Sequence, residues 1–142
     1  MHENEALVRR AWVAYDRGDE KEFGACLAPD WREYDADGDS ITLADVVPGM
    51  LAQRVAFPDK HTEVQQVIRE GNLVVTRSTT TATHTGKYFD LEPTGKQLRS
   101  HEISIHRIVN GRIAETFQET GASGFYTQLS GRPSPNPTDN FA

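Results

Sequence analysis

The chain lacks several features that would each indicate a particular class of protein. Its 142 residues include a single cysteine, Cys26, so no disulfide can form within the chain. The small and apolar neighbours of this thiol predict a buried side chain without a chemical role. No stretch approaches the roughly 20 apolar residues of a membrane span. The first residues also lack the apolar core of a signal peptide. We therefore expect a cytoplasmic protein that does not enter the membrane.

Positive charge is also scarce. The chain has 15 Lys and Arg against 21 Asp and Glu, which gives a formal net charge of -6. Proteins that bind nucleic acid need a cluster of cationic side chains that neutralises phosphates, and no basic run occurs here. The composition therefore argues against a nucleic-acid partner.

Motifs for metals and nucleotides are incomplete or absent. The segment 35–40, DADGDS, begins like a calcium loop, but Ser40 and Val46 stand where that loop needs glycine and glutamate. The histidines of HEISIH, His101 and His106, are five residues apart, so on a strand they point to opposite faces and cannot share a metal. Neither GxGxxG nor GxxxxGK[ST] occurs. The motifs thus predict no metal and no nucleotide cofactor.

Helical patterns occupy the first part of the chain. Apolar residues at helical spacing predict a helix over 4–17, and Gly18 follows where that helix would end. A short second helix runs into a turn-rich passage, APDWREYDADGD. Thr42 and Asp45 then resemble a capping box before a third helix, in which Pro48 must cause a kink or begin a second piece.

From residue 63 onward the pattern changes to strands, with alternating polarity and many β-branched residues. Asn110-Gly111 between the last two strands is a strong hairpin signal. Helices followed by an antiparallel sheet predict an α+β domain over residues 1–130. The proline-rich tail, 131–142, has little to bury, so we expect it to be loose or to lie on a partner subunit.

Taken together, these segments resemble the SnoaL-like polyketide cyclases of the ketosteroid isomerase and nuclear transport factor superfamily. The resemblance rests on Phe57-Pro58-Asp59, Gly71, Thr83-His84-Thr85-Gly86, Pro93-Thr94-Gly95, Arg107, Gly111-Arg112-Ile113, Glu115 and Gln128-Leu129. It implies a curled antiparallel sheet wrapped by the N-terminal helices into a cone with an internal pocket. It also implies a homodimer that needs no metal or cofactor and acts on a small apolar or polyketide-like substrate.

The chain departs from the family at its acid/base residue. The pattern E-x-W-x-x-x-D becomes Glu115, Phe117 and Gly121, so a glycine takes the place of the aspartate. Because side chains alternate along a strand, Glu119 shares the face of the missing aspartate and is our candidate catalytic residue. The alternative is a solvated glutamate near a strand end. Phe117, on the same face, is expected to keep the pocket dry and to contact the substrate.

The hairpin constrains the partner of Glu119. A two-residue loop places Glu102 opposite Glu119. Because two facing carboxylates repel, either they share a proton in a pocket, or a bulge shifts the register so that His101 meets Glu119. Such a bulge also brings Ile103 opposite Phe117 or Glu119. We favour the bulge and a catalytic His101–Glu119 pair, with Glu102 beside the substrate.

Four aromatic residues complete the predicted site. Tyr34 replaces a histidine common in the family; it either donates a hydrogen bond to a developing oxyanion or caps the core. Trp12 and Tyr15 are expected to line the pocket and bind substrate, although a plain core stripe has the same pattern. Tyr88 is a candidate substrate contact in a loop that could act as a lid.

The leading hypothesis is therefore a cyclase that closes rings by side-chain acid/base chemistry on a polyketide-type or prenylated natural-product intermediate. Because Gly121 removes the usual base, intramolecular epoxide opening is one form of this hypothesis. The alternatives are a protein that only binds a small molecule, an isomerase or epoxide hydrolase of the same superfamily, and a structural dimerisation module.

Overall fold

The computed structural model describes residues 1–35, 37–120 and 124–137. Within these residues the chain forms four helices and six strands. In chain order they are α1 (Glu3–Arg17), α2 (Glu20–Ala25), β1 (Leu27–Tyr34), β2 (Ser40–Thr42), α3 (Leu43–Ala56), β3 (His61–Glu70), β4 (Leu73–Thr83), β5 (Gln97–Val109), β6 (Arg112–Thr120) and α4 (Phe125–Ser130). The predicted α+β class is confirmed.

The strands form one curled sheet in the order β2-β1-β6-β5-β4-β3. All neighbouring pairs are antiparallel except β1 and β6, which are parallel, so the sheet is mixed rather than purely antiparallel. Helices α1 and α3 pack on its inner face and bury the first of two apolar clusters. The second cluster surrounds Phe57, Tyr88 and Phe125.

The passage predicted as turns after α2 contains strand β1. Its Trp31 and Glu33 are buried and Arg32 is exposed, the alternation expected of a strand. Pro29 lies where the register between β1 and β6 is irregular, a position at which a missing N–H is tolerated. Since β1 pairs with a strand about eighty residues away, local sequence gives little sign of it.

The predicted signals at the helix ends are present. Gly18 follows α1 in the left-handed region, at φ 64°, and its N–H bonds back to the last turn. At the start of α3, the Asp45 carboxylate accepts hydrogen bonds from the N–H and hydroxyl of Thr42 at 2.9 and 3.0 Å. The helix then continues through Pro48 as one element.

The β5–β6 hairpin has the predicted two-residue loop, with Val109 paired to Arg112. A bulge is also present, since Arg107 pairs with Glu115 but Ile108 with Ile113. The extra residue, Ala114, lies on β6. The predicted His101–Glu119 pair requires an extra residue on β5. An extra residue on β6 shifts the pairing in the opposite direction.

The observed register therefore places Ile103 opposite Glu119 and Glu102 opposite Thr120. The prediction of a bulge is confirmed, and Ile103 has one of its two predicted partners. The predicted His101–Glu119 pair is wrong, because it requires the extra residue on β5.

The first part of the C-terminal tail packs on its own domain. Ser134 and Asn136 are buried, and the Asn136 amide donates to the hydroxyl of Tyr88 at 3.2 Å. The expectation of a loose tail is wrong for residues 131–137, while residues 138–142 lie outside the described part. In the described residues, no helix combines the length and hydropathy that a membrane crossing requires.

Candidate active site

A cavity of about 110 Å³ lies between the inner face of the sheet and the helices. This is several times the space of roughly 10–15 Å³ that one water molecule needs. Trp12 and Tyr15 of α1, Trp31 of β1 and Gln53 of α3 line it. The cavity thus combines aromatic walls with a few polar side chains, as small-molecule sites do.

Strand β6 supplies one wall of this cavity. Thr116, Gln118 and Thr120 line it. Phe117 and Glu119, which alternate with them, are exposed on the opposite face of the sheet. The predictions that Phe117 and Glu119 lie in the pocket are therefore wrong.

The bulge on β6 explains why Phe117 and Glu119 lie on the outer face of the sheet. On β6 before the bulge, the odd-numbered Ile113 lines the cavity. Beyond Ala114, the residues that line it are the even-numbered Thr116, Gln118 and Thr120. One extra residue reverses which side chains face inward for the rest of a strand. Glu115, Phe117 and Glu119 do share a face, as predicted, but it is the outer one. Gly121, in the place of the family aspartate, lies outside the described residues.

The two histidines of β5 point to opposite faces, as predicted. His106 lines the cavity. His101 is exposed on the outer face, where its Nδ1 lies 3.2 Å from the hydroxyl of Thr79. His101 therefore does not belong to the cavity, contrary to its predicted catalytic role.

Tyr34 and Tyr88 also lie elsewhere than predicted. Tyr34 is on the outer face of β1, stacked on Phe117 with ring centroids 4.9 Å apart, so its hydroxyl is not an oxyanion donor of the cavity. Tyr88 is fully buried in the second apolar cluster. Its hydroxyl accepts a hydrogen bond from Gln53 at 3.3 Å, so Tyr88 is part of the core and not a lid.

Three predicted residues do line the cavity: Trp12, Tyr15 and Glu102. Tyr15 and Trp12 pack edge to face with centroids 6.4 Å apart. Their contact with a substrate stays a prediction. Trp12 Nε1 and Gln53 Oε1 are buried and have no hydrogen-bond partner among the described residues. Such groups are rare and often mark a place that a ligand or water completes.

The cavity holds a second carboxyl group, that of Glu33. Burial raises the pKa of Glu33 to about 8, and the charge of Glu102 contributes to this rise. Burial also raises the pKa of Glu102 to about 7, although the Ser104 hydroxyl donates a hydrogen bond to it. Both carboxyl groups are thus able to exchange protons near neutral pH.

His106 forms a buried polar chain beside these groups. The Trp31 Nε1–H donates to the Thr116 hydroxyl at 3.1 Å, and Thr116 lies 3.2 Å from Nδ1 of His106. Burial lowers the pKa of His106 to about 4, so the imidazole is neutral at pH 7. The hydrogen bond between Nδ1 and the Thr116 hydroxyl fixes the ring.

An ion pair lies at the cavity wall. Lys60 lines the cavity, and its Nζ is 3.3 Å from Oδ1 of Asp16, with only 6% and 9% of the two side chains exposed. The same ammonium lies 4.1 Å from the centroid of the Tyr15 ring. Among the described residues, no group of three or more His, Cys, Asp or Glu is arranged to hold a metal ion.

Sequence reasoning missed Glu33, Lys60 and the role of His106. The alternation Trp31-x-Glu33 is a short strand signal, but the Pro, Asp and Gly residues around it favour turns. Lys60 follows the family motif Phe57-Pro58-Asp59 directly, and nothing local distinguishes it from a surface lysine.

The fold and the cavity define a cone-shaped domain that encloses a small-molecule site with ionisable groups. The family model described as SnoaL-like polyketide cyclase matches residues 6–129. The chain therefore belongs to the SnoaL-like polyketide cyclase family, and it is an enzyme of the cyclase/isomerase type. No curated protein matches the chain.

Several solved structures are similar. AclR of Streptomyces galilaeus, described as a proposed hydroxylase, has 29% identity and a TM-score of 0.80, covering 96% of this chain and 86% of that one. IdmH of Streptomyces antibioticus, described as a proposed polyketide cyclase, has 23% identity and a TM-score of 0.74, covering 90% and 99%. TsrD of Streptomyces laurentii has 20% identity and a TM-score of 0.73, covering 92% and 96%.

Proposed function

We propose that the chain closes a ring in a polyketide-type or prenylated natural-product intermediate, with Glu33 and Glu102 transferring the protons. The observation that carries the proposal is that two carboxyl groups, both with a pKa raised towards neutrality, line one cavity. Burial and the charge of Glu102 favour the protonated form of Glu33, whereas the Ser104 hydroxyl and Lys60 favour the ionised form of Glu102. Glu33 is therefore the acid of the pair, and Glu102 is the base.

The chemistry needs no redox change. Glu102 removes a proton from a carbon beside a carbonyl, or from an attacking hydroxyl, and the new bond forms to an aldehyde or ketone carbon or to an epoxide carbon. Glu33 gives its proton to the oxygen that becomes negative. The two groups then exchange one proton through solvent, which restores the resting state. Trp12 and Trp31 hold the apolar part of the substrate.

Isomerisation would use the same carboxyl pair, since it also moves a proton from one carbon to another position. A purely binding function is favoured by one observation, the glycine at position 121 in place of the family aspartate. Turnover separates these possibilities, because a binding protein holds the ligand without changing it.

The experiment uses both tryptophans, which line the cavity and report on ligand binding by fluorescence. Binding of 1,8-dihydroxyanthraquinone is measured first, followed by chromatography of products from a tricyclic β-keto ester that carries a free aldehyde. Glu33→Gln and Glu102→Gln should each lower turnover about 10²- to 10⁴-fold, the usual contribution of a general acid or base, while binding is kept. Glu70→Gln, at an exposed position on β3 outside the cavity lining, is the matched control and should change neither.

Unchanged turnover in both carboxyl variants would remove them from the mechanism. Tight binding with no product from any keto ester, epoxide or enone offered to the wild-type chain would favour the binding function.

We also propose that the outer face of the sheet joins two copies of the chain. Ile103, Ile105 and Phe117 are exposed there, at 52%, 40% and 42%. Arg77 and Glu119 flank Ile103 on the neighbouring strands. In a two-fold dimer each copy's Arg77 can meet the other copy's Glu119, and the apolar residues meet between them.

A further inference from the structure

We propose that Lys60, held in place by Asp16, is the positioning residue that makes Glu102 rather than Glu33 the base of the carboxyl pair. The inference rests on the proposed function, since it concerns how the two carboxyl groups divide the acid and base roles.

The geometry fixes the lysine ammonium in one place. Asp16 Oδ1 lies 3.3 Å from Lys60 Nζ. Asp16 itself accepts hydrogen bonds from the N–H and the hydroxyl of Thr62, at 2.6 and 2.9 Å. The Tyr15 ring lies against the ammonium from the side of α1. Two elements of the fold, α1 and β3, therefore hold a side chain that is usually mobile on protein surfaces.

The position matters because Lys60 and Glu102 line the same cavity. Burial raises the pKa of Glu102. The hydrogen bond from the Ser104 hydroxyl, and then the positive charge of Lys60, favour the ionised form, and the charge of Asp16 has a smaller opposite effect. Among the described residues, the cavity is also lined by Glu33 on β1, whose pKa is raised by burial and by Glu102, and by His106 on β5, which is neutral at pH 7.

The two carboxyl groups differ in their position relative to the Lys60 ammonium. Burial, and then the charge of Glu102, raise the pKa of Glu33. Lys60 directly precedes β3, and the strand order places β5 with Glu102 two strands from β3 but β1 with Glu33 four strands from it. The asymmetry assigns the proton of the resting pair to Glu33 and the negative charge to Glu102.

A purely architectural role is a poor explanation for this lysine. A buried ion pair contributes little net stability, because desolvating two charges costs about as much as their attraction returns. Apolar side chains could join α1 to the start of β3 equally well. An ammonium on a cavity wall is explained if its charge acts on a group in that cavity.

The experiment is an NMR titration of the full chain labelled with ¹³C at glutamate side-chain carboxyls, which needs no substrate. The Glu102 signal is assigned from its loss in Glu102→Gln. In Lys60→Met the titration midpoint of Glu102 should rise by about one pH unit, since an opposite charge nearby is worth one to three. Lys60→Arg keeps the charge and should restore a midpoint near the wild-type value.

Two further variants complete the design. Lys60→Met leaves Asp16 buried without its cation and could unfold the domain, so Asp16→Asn with Lys60→Met is made as well. This double variant should also raise the midpoint, but less, because the opposing charge of Asp16 is lost too. Lys87→Met is the matched control, since Lys87 pairs with Glu92 on the surface and should leave Glu102 unchanged.

A midpoint that does not move in any folded variant lacking Lys60 would overturn the inference. In the enzyme assay, the acidic limb of the pH profile should follow the Glu102 midpoint in Lys60→Met. If the midpoint moves while Glu33→Gln and Glu102→Gln keep full turnover, the proposed function fails and the electrostatic effect of Lys60 remains. If those variants lose turnover while the midpoint stays fixed, only the inference about Lys60 fails.

Discussion

Glu33 of β1 and Glu102 of β5 lie on either side of β6 and face one cavity, and the charge of Glu102 raises the pKa of Glu33. Two carboxyl groups in this relation do not ionise independently. Near pH 7 the pair holds a proton that it can give and a charge that can take one. This is the basis of the proposed acid/base chemistry.

The raised pKa values predict that these carboxyl groups lower stability as pH increases. Each folded-state pKa, about 8 for Glu33 and about 7 for Glu102, lies above the model value of 4.5. The folded protein then binds more protons than the unfolded chain, so the stabilisation is complete below pH 4.5 and is lost as pH rises to 8. His106 has the opposite effect, which operates between its folded pKa of about 4 and 6.5.

The test is urea unfolding between pH 6.5 and 8, where the carboxyl effect is separated from that of His106. The free energy of unfolding should fall with a slope on the order of 1 kcal/mol per pH unit. Glu33→Gln should reduce this slope, and Glu70→Gln, at an exposed position on β3, should leave it unchanged. A wild-type stability that rises over this range would contradict the raised pKa values.

The chain of hydrogen bonds through Thr116 should contribute to stability. Thr116→Val removes the hydroxyl that accepts from Trp31 and is hydrogen-bonded to His106, without a large change of shape. Two buried groups then lack partners, so the free energy of unfolding should decrease by about 1–3 kcal/mol. Thr81→Val, at an exposed position on β4, is the control. An equal, small effect of both substitutions in denaturant unfolding would argue against the buried chain.

Packing of the tail can be tested at Gly49 of α3. A Cβ there would lie 2.2 Å from Oδ1 of Asn136, so Gly49→Ala should displace the tail and break its hydrogen bond to Tyr88. Limited proteolysis should then cut after residue 130 faster than in the wild type. Gly24→Ala is the matched helical control, because its Cβ would meet Leu43 at an ordinary 3.7 Å. Equal cleavage rates in the two variants would count against tail packing.

The proposed dimer predicts that a charge in the centre of the outer face dissociates the protein. Phe117→Arg should convert the dimer to a monomer in analytical ultracentrifugation, because it places a desolvated charge in an apolar interface. Val55→Arg is the control, since Val55 is 66% exposed on α3, away from the sheet. A wild-type chain that is monomeric at high micromolar concentration would refute the proposed interface.

Local sequence determined most of the helices and strands of this fold and the part of the cavity wall that α1 supplies. Gly18 ends α1 and Asn110-Gly111 forms the hairpin loop because both depend on the conformational preferences of one or two residues. The amphipathic pattern of α1 likewise placed Trp12 and Tyr15 on the cavity side. These features follow from interactions within a few residues, which the sequence displays directly.

The tertiary structure decided which carboxylates face the cavity. The extra residue at Ala114 turned Glu119 outward, and the position of a bulge depends on packing across the whole sheet rather than on the residues around it. Strand β1, which brings in Glu33, forms only by pairing with β6, far along the chain. The burial that raises the pKa of Glu33 likewise exists only once distant parts of the chain exclude water from the cavity.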